Sequence, residues 1–180
     1  RTSGVDTGLV NPLRILDVGT GSGAIALALA AHLPAAEITA VDLSPDALDV
    51  ARGNAERLGL ASRVRFLLSD LLEALPPEEP PFDAIVSNPP YVPEGARGTL
   101  HPEVRDYEPA SALFAGGGGL DVYQRLIPAA GRRLRPGGLL VLEFGFGQRE
   151  ALGVLLTGWQ GVRFLPDLQG IPRAALARLG

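Results

Sequence analysis

The chain has no cysteine, no methionine and no lysine, and only two histidines among its 180 residues. Without cysteine, disulfides, thiol catalysis and cysteine-based metal sites are excluded. His32 and His101 are too few and too scattered for a zinc centre, so no metal is expected. No apolar run reaches the roughly 20 residues of a membrane span, and no basic-then-apolar leader opens the chain. Membrane and secreted classes therefore have no support, and a cytoplasmic protein is expected. The missing methionine means that no initiator is present, which is expected of a fragment or a processed chain. All sixteen basic residues are arginine, which together with abundant glycine and proline reads as a compositional bias of the source. A net charge of −4 argues against a broad basic surface gripping nucleic acid, so direct nucleic-acid binding is not expected.

What is present is the composition of a folded domain, 46% hydrophobic and 20% charged. There is no internal repeat, low-complexity tract or linker, so residues 1–180 read as one domain. Short apolar runs alternate with helical patterns. Strands are expected at Arg14–Val18, Glu37–Val41, Arg63–Leu68, Phe82–Val86, Leu139–Phe144, Val162–Leu165 and Ala174–Leu179. Helices are expected at Ala24–Leu33, from Ser44-Pro45 to about Leu58, at Asp121–Leu134 with a kink at Pro128, and at Gln148–Leu156. Ser44 suits an N-cap, Pro45 the first helical position, and Gly59 the stop. Pro136-Gly137-Gly138 reads as a turn. Alternating strands and helices predict a doubly wound α/β fold with a largely parallel sheet.

Three strand ends carry polar chemistry. The first strand runs into Gly19-Thr20-Gly21-Ser22-Gly23, preceded by Asp17. Glycines there allow a tight turn and let backbone approach a ligand at a helix N-terminus. The spacing differs from the G-x-G-x-x-G of nicotinamide-binding loops. Asp42 ends the second strand, where a carboxylate can accept both hydroxyl protons of a ribose. Asp70 follows the third, where an acid could receive an adenine amino group. Each Asp alone fits a capping or solvated role equally well. Together they line the sheet edge where open α/β sheets bind ligands.

The fourth strand ends in Ser87-Asn88-Pro89-Pro90-Tyr91. Consecutive prolines continue neither a ladder nor a helix, so the backbone leaves the sheet stiff and extended. An amide, bare carbonyls and an aromatic ring on such a turn suit a planar hydrogen-bonding group. The alternative is a stiff loop capped by a surface tyrosine. From Val92 to Gly119 there is little periodicity, and a loop of that length in a compact domain is usually functional.

Asp17-x-Gly19-x-Gly21-x-Gly23, Asp42 and Asp70 resemble the cofactor site of the Rossmann-like S-adenosylmethionine (SAM) methyltransferases. The resemblance implies a mostly parallel seven-stranded sheet with an antiparallel last strand. It also implies SAM as cofactor and S-adenosylhomocysteine as product. Gly19, Thr20 and Gly21, with Asp17 and Gly23, would then surround the methionine and ribose parts. Asp42 and Leu43 would hold the ribose side, Asp70 with Leu71 the adenine, and Asn88 would border the cofactor. Asn88-Pro89-Pro90-Tyr91 is similar to the (Asp/Asn)-Pro-Pro-(Tyr/Phe) motif of methyltransferases acting on amino groups conjugated to planar systems. By that likeness Asn88, Pro89 and Tyr91 are catalytic, and Pro90 joins them in binding substrate.

Val104-Arg105-Asp106-Tyr107-Glu108-Pro109, Ala112–Gly116, Gly119-Leu120-Asp121-x-Tyr123 and a closing Asp167-Leu168-x-Gly170-x-x-Arg173 resemble the release-factor glutamine methyltransferases, the HemK/PrmC family. The implied activity is methylation of the glutamine side-chain amide in the Gly-Gly-Gln loop of class 1 peptide-chain release factors. Arg105 and Glu108 would contact substrate, or else, with Tyr107, only stabilise the loop. Glu143 ends the fifth strand and is left outside the site. Family members carry an N-terminal helical domain, whereas only residues 1–13 precede the first strand here; a monomer is expected. Three rival readings are a glutamine methyltransferase acting on ribosomal protein L3, an adenine or cytosine amino-methyltransferase, and a silent SAM-binding module.

Overall fold

A computed structural model describes residues 12–93, 95 and 118–180. Seven strands form one sheet: β1 (Arg14–Val18), β2 (Glu37–Asp42), β3 (Val64–Leu68), β4 (Phe82–Ser87), β5 (Leu134–Glu143), β6 (Gln160–Pro166) and β7 (Pro172–Arg178). Their order is β3-β2-β1-β4-β5-β7-β6. The first five strands run parallel, and β7 lies antiparallel between β5 and β6. The expected seven-stranded, mostly parallel sheet with an antiparallel last strand is therefore the observed one. Among the described residues four α-helices connect it: α1 (Ala24–His32), α2 (Pro45–Arg57), α3 (Asp121–Gly131) and α4 (Arg149–Leu155). Among the described residues no helix is long and apolar enough to cross a membrane.

Strand alternation splits the core between the two faces of the sheet. Ile15, Ile38, Ala40 and Val64 pack with Leu27 and Ala30 of α1 and Ala55 of α2. Leu16, Val18, Val41, Ile85 and Leu142 face the other way, against Tyr123, Leu126 and Ile127 of α3 and Leu152 of α4. A one-residue slip in β1 would exchange these two sets, so its register is fixed by burial on both sides.

Helix ends follow local chemistry. Ser44 is extended, its Oγ accepts from the Ala47 N–H at 3.2 Å, and Pro45 and Asp46 occupy the first turn. At the far end Gly59 has φ +68°; its N–H donates to Glu56 and that of Leu60 to Ala55, the paired bonds of a Schellman stop.

Two boundaries differ most from expectation. The helix from Asp121 ends at Gly131 rather than Leu134, and β5 already begins at Leu134. Pro136-Gly137-Gly138 is a turn-like bulge inside β5: pairing jumps from Phe82–Leu134 to Ala84–Leu139. The Gly137 N–H donates to the Leu179 carbonyl and the Leu179 N–H to Gly138, so the bulge stays paired to the chain after β7. Pro128 lies inside α3 but on its exposed side, where the missing donor is cheapest to lose.

Candidate active site

Strand order reverses between β1 and β4, which places a crevice above their C-terminal ends. Val18 pairs with both Val41 and Ser87, so the glycine loop, Asp42 and Asn88 emerge from adjacent strands. The buried Ser87 Oγ donates to the Val18 carbonyl at 2.7 Å, locking these two ends together.

The glycine loop is held by its own backbone. The Gly19 and Thr20 N–H groups both donate to the Val41 carbonyl, Gly23 donates to Thr20, and Gly21 donates to Asp42 Oδ2 at 2.8 Å. These four donors are thus satisfied within the fold, and the loop offers shape more than free N–H groups. Gly19 and Gly21 have φ of +69° and +56°, and a Cβ on either would meet nothing within 4 Å. They face open space. Gly23 differs: a Cβ there would stand 3.2 Å from Ala51 Cβ and Leu27 Cδ1, so it serves close packing of the loop.

Asp17 is fully buried at the base of this loop. Its Oδ2 accepts from Thr20 Oγ1 at 2.7 Å and from the Ala26 N–H at 3.1 Å. The second bond caps α1 from outside, because Gly23 has no side chain to do so. Oδ1 is buried without a hydrogen-bond partner. Burial pushes the Asp17 carboxyl up to about 6; the Thr20 and Ala26 bonds work against that rise and nearby Asp42 adds to it.

Asp42 is half-buried, with Oδ1 accepting from the Ser44 N–H at 2.9 Å and Oδ2 from Gly21. Each oxygen keeps acceptor capacity for a further hydroxyl. Leu43 is 67% exposed beside it, an apolar wall at the same edge. Asp70 Oδ2 pairs with Arg125 Nη2 of α3 at 2.7 Å. Leu71, next in the chain, takes φ 49°, a left-handed conformation costly for a leucine. A groove of about 440 Å³ adjoins Leu71, lined by Glu73, Arg125, Arg132 and Arg133, and neither the glycine loop nor Asp42 borders it. The candidate site is the strand edge instead.

On the other side of the crevice Pro89 is buried, Pro90 and Tyr91 are half-buried, and Asn88 is exposed with no side-chain hydrogen bond to a described residue. The Tyr91 hydroxyl donates to Glu143 Oε1 at a long 3.4 Å, and the Tyr123 hydroxyl donates to the Glu143 carbonyl at 2.7 Å. The Tyr91 carbonyl accepts from Gln148 Nε2 at 2.9 Å. Glu143, set aside in the sequence, thus borders the site, and Gln148 was missed altogether. Their partner lies 52 and 57 residues away, and no local pattern marks it.

Asp17, the glycines, Asp42, Leu43, Asp70, Leu71 and Asn88–Tyr91 therefore share one edge. Arg105 and Glu108, with the rest of the Val104–Gly116 stretch, lie outside the described residues.

Residues 15–106 match the family model for a methyltransferase domain. The release factor glutamine methyltransferase of Koribacter versatilis is 44% identical over 164 residues, covering 91% of this chain and 58% of that protein. That of Bradyrhizobium diazoefficiens is 50% identical over 168 residues, covering 92% and 56%. The chain thus spans a little over half the length of these curated relatives. Among solved structures, TrmN from Thermus thermophilus is similar with a TM-score of 0.67 and 28% identity, covering 94% of this chain and 45% of that one. The T. thermophilus 16S rRNA N2 G1207 methyltransferase RsmC, in complex with AdoMet and guanosine, has a TM-score of 0.64 and 28% identity over 93% of this chain and 37% of that one.

Proposed function

The chain belongs to the methyltransferase-domain family, and from that premise we propose that it methylates the side-chain amide of the Gly-Gly-Gln glutamine in class 1 release factors, with SAM as donor. The observation that carries the reading is the pairing, across one crevice, of an open glycine loop with a stiff Asn-Pro-Pro-Tyr turn. The release factor enters from the names of relatives 44% and 50% identical. The cofactor is supported by the AdoMet bound to a structural neighbour at 28% identity.

The residues fit that cofactor. The open space facing Gly19 and Gly21 leaves room for ligand atoms. Asp42 has acceptor capacity for ribose hydroxyls, and Leu43 and Leu71 offer apolar contact near an adenine. The unpartnered Oδ1 of Asp17 lacks a donor that a cation could supply. When bound, SAM supplies an electrophilic methyl group and leaves as S-adenosylhomocysteine.

The substrate side is built for a primary amide. Its nitrogen is a weak nucleophile because the lone pair is delocalised into the carbonyl. The Asn88 Oδ1 and the Pro89 carbonyl are acceptors for its two hydrogens, which orients the nitrogen and favours density on it. Tyr91 offers a flat apolar surface to the amide plane and shields it from water. A glutamate side chain sets oxygen against these acceptors and is rejected.

The test is to incubate the chain and SAM in parallel with a release factor, ribosomal protein L3 and DNA, then map methyl groups by mass spectrometry. One methyl on the Gly-Gly-Gln glutamine is expected. A methyl found only on L3 or on DNA bases would replace this reading with the corresponding rival.

A further inference from the structure

We propose that Gln148 is a positioning residue that sets the catalytic turn by gripping the Tyr91 carbonyl; this rests on the assignment of Asn88–Tyr91 to the substrate amide. Gln148 immediately precedes α4, its backbone N–H donating to Gly145 and its carbonyl receiving the Leu152 N–H. Its side chain reaches back over the end of β5. Oε1 accepts from the Gly145 N–H at 2.8 Å, while Nε2 donates to the Tyr91 carbonyl at 2.9 Å and the Gly119 carbonyl at 3.2 Å. One amide thus joins the segment after β4, the segment before α3 and the segment after β5. The partners require one acceptor and two N–H donors at a single side-chain end, which among uncharged side chains only a primary amide supplies.

The neighbouring positions are shaped to admit it. Gly119 has φ +70°; a Cβ there would collide with the Tyr91 carbonyl oxygen and stand 2.7 Å from Nε2. A Cβ at Gly145 would come within 3.0 Å of both Gln148 Oε1 and Tyr91 Cδ2. Two residues without side chains therefore leave the room that the Gln148 amide and the Tyr91 ring occupy. Pro89 and Pro90 make the preceding backbone stiff, so the orientation imposed at the Tyr91 carbonyl carries to the Pro89 carbonyl and Asn88. Displacement of reacting groups by about 1 Å costs on the order of a hundredfold in rate, so a grip on one carbonyl matters.

The test compares wild type with Gln148→Met and Gln148→Glu, using SAM and a class 1 release factor as substrate. Methionine keeps the length and removes donors and acceptor. Glutamate keeps the acceptor for Gly145 but sets a carboxylate against two carbonyls. At about pH 8 both variants are expected to lose roughly tenfold or more in kcat, with KM for the release factor, SAM affinity and the thermal midpoint little changed. As the pH falls towards about 5, the introduced carboxyl regains an O–H donor, and kcat relative to wild type recovers several-fold in Gln148→Glu but not in Gln148→Met. Full kcat in either variant at pH 8, or a flat ratio for Gln148→Glu across pH, overturns the proposal. So does a parallel loss of kcat, SAM affinity and midpoint, which marks a structural strut. If wild type methylates no release factor, the underlying assignment falls and this inference with it; full activity in the variants beside an active wild type overturns this inference alone.

Discussion

Asp17 and Asn88 illustrate opposite ways in which a side chain enters this site. Asp17 is buried with one oxygen unpartnered and its carboxyl held up at about 6. Across the window from its ordinary value near 4 to about 6, the folded protein keeps a proton that the unfolded chain has released. Stability from this group therefore falls as pH rises through that window and stays low above it. Two units correspond to about 3 kcal/mol. Asp17→Asn keeps an oxygen for Thr20 and Ala26 and carries no charge. Its thermal midpoint is expected to exceed that of wild type at about pH 7.5, the gap closing towards pH 4.5, in calorimetric melts without ligand. SAM affinity should fall in the same variant; unchanged affinity would confine Asp17 to capping α1. Asn88 is exposed and bonds no described side chain or backbone group, so Asn88→Ala is expected to alter stability by less than about 0.5 kcal/mol. On the proposed reading, turnover should drop by about a hundredfold or more while SAM affinity holds, since one acceptor to the substrate amide is lost. Equal losses of turnover and SAM affinity would move Asn88 from the substrate to the cofactor.

Connections between elements decide what the sequence could disclose. Ser44-Pro45 and Gly59 announce both ends of α2 because each cap forms within a few residues. β1, β2 and β4 are legible for a similar reason: buried on both faces, they read as short apolar runs. The glycine loop, Asp42 and Asn88 were found because each sits directly at a strand end. Gln148 was not, because its role comes from a turn more than fifty residues earlier; Glu143 is legible as a strand end, but its contact with that turn is equally distant in sequence. The start of β5 was missed because Pro136-Gly137-Gly138 has turn chemistry inside a paired strand. The same distinction yields a paired prediction on two glycines of positive φ. At Gly137 a Cβ meets nothing within 4 Å, whereas at Gly119 it meets the Tyr91 carbonyl. Gly137→Ala should cost about 1–2 kcal/mol from backbone strain and leave kcat alone. Gly119→Ala bears the same strain and also pushes on the proposed catalytic turn, so kcat should collapse as well. Comparable kcat in the two variants would show that the segment before α3 does not constrain the turn.

Across the molecule the two edges of the parallel sheet divide the work. The C-terminal edge gathers Asp17, Asp42, Asp70 and Asn88. At the N-terminal edge Glu79 is nearly buried between Arg14 at the start of β1 and Arg65 of β3, to which it pairs at 2.8 Å. This pins the connector between β3 and β4 as it crosses from one edge to the other. Burial opposes the Glu79 charge, but the hydrogen bonds and charges of Arg65 and Arg14 prevail and hold its carboxyl below the usual range. The sign is opposite to that of Asp17. Glu79 stabilises the fold at neutral pH, and the contribution fades as pH falls below its ordinary value of 4.5 towards the depressed one. Glu79→Gln removes the charge while keeping a similar shape, so it leaves two arginines facing a neutral amide. Its cost should be about 1–3 kcal/mol at neutral pH, less than for a wholly buried pair because Arg65 is partly exposed. The loss should shrink in acid, where wild type also carries a neutral side chain. Urea titrations at about pH 7 and pH 3 measure both values, and kcat assays at neutral pH should show no change, because the proposed site is on the opposite edge. A stability loss that persists undiminished in acid would assign Glu79 a packing role; a fall in kcat would show that the two edges are coupled through the connector.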